Sequence, residues 1–300
     1  MSREKGAVIL IVALVLILPQ LFSTEEESCE AVSGSEFQIM TFNIRRSSFF
    51  DGRDSWENRS SAVVSMICRE SPDIIGLQEV TPFVMEELKQ KLRSLYSGYG
   101  VGRDNGYDSG EHNPVFFNRE KLMMLDRGTF WLAPSAPQIP SYGWYGGKRI
   151  VTWAKFQFRE TGEEFLLFNT HFDNKSEETR RESAILLLEQ IQKKAGGLPV
   201  ILTGDLNAVP ESETYAILTS PSLDGTKLVD SRLASLEPSE VTYSGFDPGN
   251  REYGSIVDYI FIDRSFEVLE YSIPQDTVND LFLSDHRPVL VTVEFKEGEP

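Results

Sequence analysis

The chain has 300 residues, 40% of them apolar and 11% aromatic, enough to bury a large core in a single domain of packed sheets. Its 46 acidic residues against 29 basic ones give a formal charge of −17. That field repels polyanions at long range and argues against a stable nucleic-acid complex, while leaving room for a locally neutralised phosphate site, above all one holding a cation.

Gly6 to Leu18 form an apolar run of 13 behind Arg3 and Lys5. The run is short for a membrane span of about 20 residues and suits a signal-peptide core. Pro19 and Gln20 end it and Ser23 offers a cleavage site, although Leu21 and Phe22 could extend it into an uncleaved anchor. Residues 1–23 are therefore expected to be a signal peptide or signal anchor that exports the chain, with membrane attachment through residues 6–22 if it is retained. Residues 24–35 are polar and acidic and read as a flexible leader.

From Phe37 short apolar strands alternate with amphipathic helices. Strands are expected over Phe37–Asn43, Asp73–Leu77, Asn113–Asn118, Thr129–Leu132, Val151–Phe158, Glu164–His171, Val200–Thr203, Ile256–Ile262 and Val289–Phe295. Helices are expected over Trp56–Glu70, Pro82–Leu95 and Glu177–Lys194, where apolar residues recur at helical spacing. With no internal repeat and no linker after Ser35, this reads as one domain over 36–296, of mixed sheets packed face to face with helices outside. Of the two cysteines, Cys29 and Cys68, the second sits in an apolar helical pattern and is expected to be a buried free thiol, although export would permit one disulfide.

Polar residues gather at strand ends. Asn43, Glu79, His171, the pair Asp205 and Asn207, and the pair Asp285 and His286 each stand where an apolar run stops or starts, and Asp258 lies inside another strand. Singly, such an Asn is usually a turn residue and such a Glu a helix cap. A buried Asp258 needs a partner, either an imidazole or a metal. Oxygen donors without cysteine point to Mg²⁺, Mn²⁺ or Ca²⁺, with Asn43, Glu79 and Asp285 as oxygen sources. The histidines remain as proton carriers or phosphate contacts, a set suited to metal-assisted hydrolysis of a phosphate ester.

Six segments then resemble, in order, the motifs of the endonuclease/exonuclease/phosphatase superfamily: Met40-Thr41-Phe42-Asn43-Ile44-Arg45, Asp73 to Glu79, Asn169-Thr170-His171-Phe172-Asp173, Gly204-Asp205-Leu206-Asn207, Val257-Asp258-Tyr259-Ile260 and Ser284-Asp285-His286-Arg287-Pro288. The resemblance implies a four-layer α/β sandwich of two mixed sheets between helices. It also implies that Glu79 binds the cation with Asn43 and Asp285 near it, that Asp205 orients or deprotonates water, and that Asn207 holds the phosphate or the water. His286 would contact the phosphate with its tautomer fixed by Asp258, and His171 would be a second phosphate contact. In one branch of the family Glu111 would buttress His171, while Arg149 and Arg103 would approach the phosphate; the alternative for both arginines is a surface ion pair. His112 carries no family role and is expected to be solvated. Asn174 and Ser109 depart from the histidine and tyrosine that relatives place there.

The expected function is thus an exported, Mg²⁺-dependent phosphoesterase, first of all a phosphodiesterase of the nuclease type. Nucleic acid, a phospholipid head group and a small phosphorylated metabolite such as an inositol or sugar phosphate all stay open as substrates. An inactive binding module with the same fold is the alternative of another class; it would have lost Glu79, Asp205 or His286, and all three are present.

Overall fold

Strand β1 (Glu36–Asn43) is buried from Ile39 onward, which is why it lacks a clean two-residue alternation. Helix α1 (Trp56–Glu70) follows, turning Trp56, Val63, Met66 and Ile67 inward, and returns the chain to β2 (Ile74–Gln78), parallel to β1. Helix α2 (Pro82–Leu92) starts with proline in its first turn, where the missing N–H costs nothing. Then come β3 (Tyr96–Tyr99), β4 (Val115–Asn118), β5 (Leu122–Trp131), β6 (Ile150–Phe158) and β7 (Glu164–His171). Helix α3 (Glu177–Ala195) is capped by the Ser176 hydroxyl and closed by Gly196 at φ 54°, and leads to β8 (Val200–Asp205), parallel to β7. The rest is α4 (Glu213–Thr219), β9 (Val229–Asp230), β10 (Asp258–Ile262), β11 (Phe266–Ser272), the small β12 (Thr277–Val278) and β13 (Leu281–Phe282) hairpin, and β14 (Val289–Phe295). This computed structural model describes residues 36–134, 140–144, 147–221, 227–235, 241–247, 249, 253–279 and 281–296.

Two six-stranded mixed sheets result, in the orders β11-β14-β1-β2-β4-β3 and β5-β6-β7-β8-β10-β9. Phe37, Ile39, Ile74 and Val291 of the first meet Phe156, Phe165, Ile201 and Ile260 of the second in a central apolar layer. Helices α1 and α2 cover the outer face of the first sheet, and α3 and α4 that of the second. The expected four-layer α/β sandwich is the observed one.

Strand direction places the site. Each sheet has one parallel pair among the described strands, β1 with β2 and β7 with β8. Each pair therefore brings two C-terminal ends to the same edge, delivering Asn43, Glu79, His171 and Asp205. The antiparallel neighbours begin at that edge, so β10 starts at Asp258, opposite Asp205, and β14 starts just after Asp285 and His286.

Several expectations need correction. Helix α2 ends at Leu92 rather than Leu95, and β5 begins at Leu122 rather than Thr129 because its exposed middle lacks an apolar signature. Strands β3 and β11 and helix α4 were not anticipated. Cys68 is a free thiol but exposed, since the inward stripe of α1 runs through Val63, Met66 and Ile67 and leaves it on the far side. His112 is buried, paired through its backbone with Val80. The expected signal segment, the leader and Cys29 lie outside the described residues.

Candidate active site

Asp205 sits at the centre. Its Oδ2 accepts a hydrogen bond from Asn43 Nδ2 at 2.9 Å and lies 3.4 Å from His171 Nε2 and 3.7 Å from His286 Nε2. Its Oδ1 accepts the backbone N–H of Asn207 at 2.9 Å. Burial pushes this carboxyl up to about 7, the Asp258 charge adding to the rise and His286 and Asn43 opposing it.

His286 donates from Nδ1 to Asp258 Oδ2 at 2.8 Å. Burial disfavours its charge, yet Asp258, Asp205 and Asp285 outweigh that and hold the imidazolium well above the usual histidine range. His171 is the opposite case. Burial, reinforced by Arg149, His286 and Arg103, keeps it well below that range and so neutral. Two imidazoles on one carboxylate are thus driven to different protonation states by their surroundings.

Glu79 stands beside Asn43, accepting from its Nδ2 at 3.3 Å and from the Arg46 backbone N–H at 2.9 Å. Asp285 lies 3.7 Å from Arg45 Nη1, and its carboxyl is pushed up by burial and the nearby Glu79 charge, against His286 and Arg45. Arg45, Glu79 and Asn207 all hold positive φ, at 56°, 61° and 48°. Side-chain-bearing residues rarely adopt that region, and such strain concentrates where geometry serves chemistry.

The donor set fits a hard divalent cation. Glu79, Asp285 and Asn43 offer carboxylate and amide oxygens, without thiolate, and among the described residues Arg45 alone offsets the Asp285 charge by an ion pair. Ligand atoms of Asp205, Asp258 and His286 also lie within 4.8 Å of one another. Their spacing would admit a cation, but the charge-assisted bond from His286 to Asp258 already commits two of the three, so the Glu79 side is the better assignment.

A cleft of about 390 Å³ reaches the site at Glu79 and His171 and is lined besides by Arg45, Arg46, Arg103, Arg149, Lys175, Glu111 and Asp173. Arg149 is buried rather than a surface residue, donating to Asn174 Oδ1 at 3.3 Å. Arg103 pairs with Glu111 at 2.7 Å, and Arg46 approaches the same carboxylate at 3.7 Å. Glu111 is thus engaged by the two arginines, and among the described residues His171 Nδ1 has no hydrogen-bond partner. Asn207 turns its amide to Phe172 O at 3.2 Å.

Sequence reasoning gave no role to Arg46, Lys175, Tyr243 or Arg59. Tyr243 lays its ring 4.8 Å from that of His286, and the neighbouring Thr242 hydroxyl accepts the backbone N–H groups of Val257 and Asp258. Arg59, buried in α1, donates to the carbonyls of Ile44, Arg45 and Leu283, fixing the two loops that carry Asn43 and Asp285. Its place on an otherwise apolar helical face was the one readable sign.

Two mixed sheets that converge carboxylates, an Asp-paired imidazolium and arginines on one edge define a phosphoester-hydrolase site of the deoxyribonuclease I-like class. The chain belongs to the Endonuclease/Exonuclease/phosphatase family, whose profile matches residues 40–286. It is similar to the endonuclease/exonuclease/phosphatase structure from Bacteroides vulgatus, with 34% identity, a TM-score of 0.81 and coverage of 87% of this chain and 99% of that one. It is similar too to the mannosyl-6-phosphatase of Bacteroides thetaiotaomicron, at 33% identity and a TM-score of 0.79, covering 86% and 100%. An uncharacterized protein of Acanthamoeba polyphaga mimivirus is 27% identical over 285 residues, 86% of this chain and all of that protein.

Proposed function

We propose that the protein is a divalent-cation-dependent phosphoesterase that removes a phosphoryl group from a small, hydroxyl-rich substrate, a sugar phosphate. The carrying observation is the cleft itself: Arg45, Arg46, Arg103, Arg149 and Lys175 gather in a chain of net charge −17. So local a positive field suits the two charges of a terminal phosphomonoester better than the extended backbone of a polynucleotide. The similarity to a mannosyl-6-phosphatase over nearly the full length supports the same reading. The nuclease-type phosphodiesterase expected first uses the same catalytic groups, and the acidic surface counts against it.

In this reading Arg149 and Arg103 bind the phosphoryl oxygens, and His286 donates to one of them from Nε2 while Asp258 holds Nδ1–H. Asp205, hydrogen-bonded by Asn43 and Asn207, orients the attacking water and accepts its proton. As the water oxygen bonds to phosphorus the bond to the sugar oxygen breaks, and that oxygen takes a proton from solvent and leaves as a hydroxyl. His171, neutral and walled by the arginines, can offer one N–H without adding charge. Glu79, Asn43 and Asp285 would hold the divalent cation, which when bound would neutralise charge building on the phosphoryl group. Phosphate release from hexose 6-phosphates, p-nitrophenol release from bis-p-nitrophenyl phosphate and chain cleavage of DNA, each with Mg²⁺ and with EDTA, test this. Monoester turnover that EDTA abolishes is expected; preferential cleavage of the diester or of DNA overturns it.

Export is proposed as well, on the strength of Arg3 and Lys5 ahead of the 13-residue apolar run. Mature protein should begin near Thr24, and cytoplasmic protein still carrying Met1 or Ser2 would contradict it.

A further inference from the structure

Beside the phosphate cleft lies a second, shallower hollow of about 440 Å³. The two share a wall, for Arg46, Arg103 and Glu111 line both. A substrate whose phosphoryl group rests in the first therefore has the second directly beside it.

The outer groove differs in chemistry. Ser47, Ser48, Thr81 and Asp104 line it with hydroxyl and carboxylate groups, and Phe50 stands at its edge with 94% of its surface exposed. The turn that carries it is held: the Ser48 hydroxyl accepts the Phe50 backbone N–H at 3.3 Å, and Arg45 grips Asp51 in the same turn at 3.1 Å. The facing wall is fastened too, with Trp131 Nε1 donating to Arg103 O at 2.7 Å and Asn105 Oδ1 accepting three backbone N–H groups from Tyr107, Asp108 and Ser109. Walls already ordered lose little freedom when a ligand enters.

Resting on the phosphomonoesterase reading above, we propose that this groove is a second subsite that takes a neutral sugar ring adjoining the phosphorylated one, so that the preferred substrate is a phosphorylated oligosaccharide rather than a free hexose phosphate. A sugar ring has an apolar face of C–H groups to lie on Phe50 and a rim of hydroxyls for Ser47, Ser48, Thr81 and Asp104. A nucleotide base could stack on the same ring, but the phosphate of a second nucleotide would meet the carboxylates of Asp104 and Glu111 beside Arg46 and Arg103, the latter two already turned to Glu111.

The test compares kcat/KM on a hexose 6-phosphate, the matching disaccharide monophosphate, the 5′-phosphorylated dinucleotide pTpT and p-nitrophenyl phosphate, for wild type and Phe50→Ala. The expected result is at least about a tenfold preference for the disaccharide phosphate over the hexose phosphate, expressed in KM, with most of that ratio lost in Phe50→Ala; stacking of this kind is measurable by alanine substitution. Equal use of the two sugar phosphates, or a ratio untouched by Phe50→Ala, overturns the subsite and leaves the phosphomonoesterase reading standing. Turnover of p-nitrophenyl phosphate with none of either sugar phosphate overturns both. Preference for pTpT reassigns Phe50 to a base and overturns the sugar subsite.

Discussion

Asn169 Oδ1 accepts a hydrogen bond from the Gln78 side-chain amide at 2.8 Å, and this bond crosses between the two sheets directly beneath the site. The same oxygen accepts from the Thr203 hydroxyl at 3.1 Å, while Asn169 Nδ2 donates to the carbonyls of Leu77 and Pro114 at 2.9 and 3.0 Å. A side chain on Gly76 would collide with Thr203 and Asn169, so the close approach of the sheets requires glycine there. One step from Gln78 is Glu79, and two steps from Asn169 is His171. The network thus sets the distance between Glu79 and His171 across the cleft.

Asn169→Ala should therefore cost about 3 kcal/mol, the range for leaving buried polar partners unpaired. Urea unfolding measures it, and kcat should fall more than KM rises because Glu79 and Asp205 lose their spacing. A loss below about 1 kcal/mol would mean that the apolar layer alone holds the sheets in register.

The six ordered motifs made the fold and the central residues readable in the sequence, because Asn43, Glu79, His171, Asp205 and His286 stand at strand ends that topology forces together. The Asn169 network was hidden for the opposite reason: it lies within the sandwich, where sequence periodicity expects only apolar residues, and its partners are 91 and 34 residues away. The pairing of Glu111 with Arg103 and Arg46 is not legible in the sequence, because the partner of a carboxylate amid several arginines depends on loop geometry. His112 was read as solvated because a short polar loop conceals the bridge to Val80 that buries it.

That burial has a pH consequence. Desolvation lowers the His112 pKa on folding, so below the unfolded value near 6.5 the unfolded chain binds the extra proton first. Stability conferred by the neutral form is complete above that pH and is lost as pH falls through it toward the lower folded value. The effect is at most about 1.4 kcal/mol per pH unit. His171 adds a slope of the same sign and His286 one of the opposite sign, but both persist in His112→Asn. Urea midpoints at pH 7.5 and 5.5 should drop further for wild type than for His112→Asn; parallel drops would place His112 in water.

His286 and Asp258 should act as a unit. Asp258→Asn keeps the shape of the side chain but withdraws the charge that sustains the imidazolium, so its loss should resemble that of His286→Ala, several kcal/mol of transition-state stabilisation in each case. The double variant should be little worse than His286→Ala alone. Measured kcat/KM for the four proteins decides it, and fully additive losses would show that the 2.8 Å contact does not operate in catalysis.

Glu79 offers the sharpest test of the cation. Glu79→Gln preserves the length of the side chain and one of its two accepted bonds, from Asn43 or from the Arg46 N–H, while removing the negative charge. Stability should change little, since relief of repulsion with Asp285 offsets the lost bond. Catalysis should fall by at least about a hundredfold in kcat, as is usual when transition-state charge loses its counter-charge. A binding measurement separates the two roles of that charge. Isothermal titration with Mg²⁺ should show weaker binding to Glu79→Gln than to wild type, and raising Mg²⁺ should recover part of the lost rate. Unchanged Mg²⁺ affinity with near wild-type turnover would move the cation away from Glu79, leaving Asp205, Asp258 and His286 as the remaining cluster of suitable spacing among the described residues.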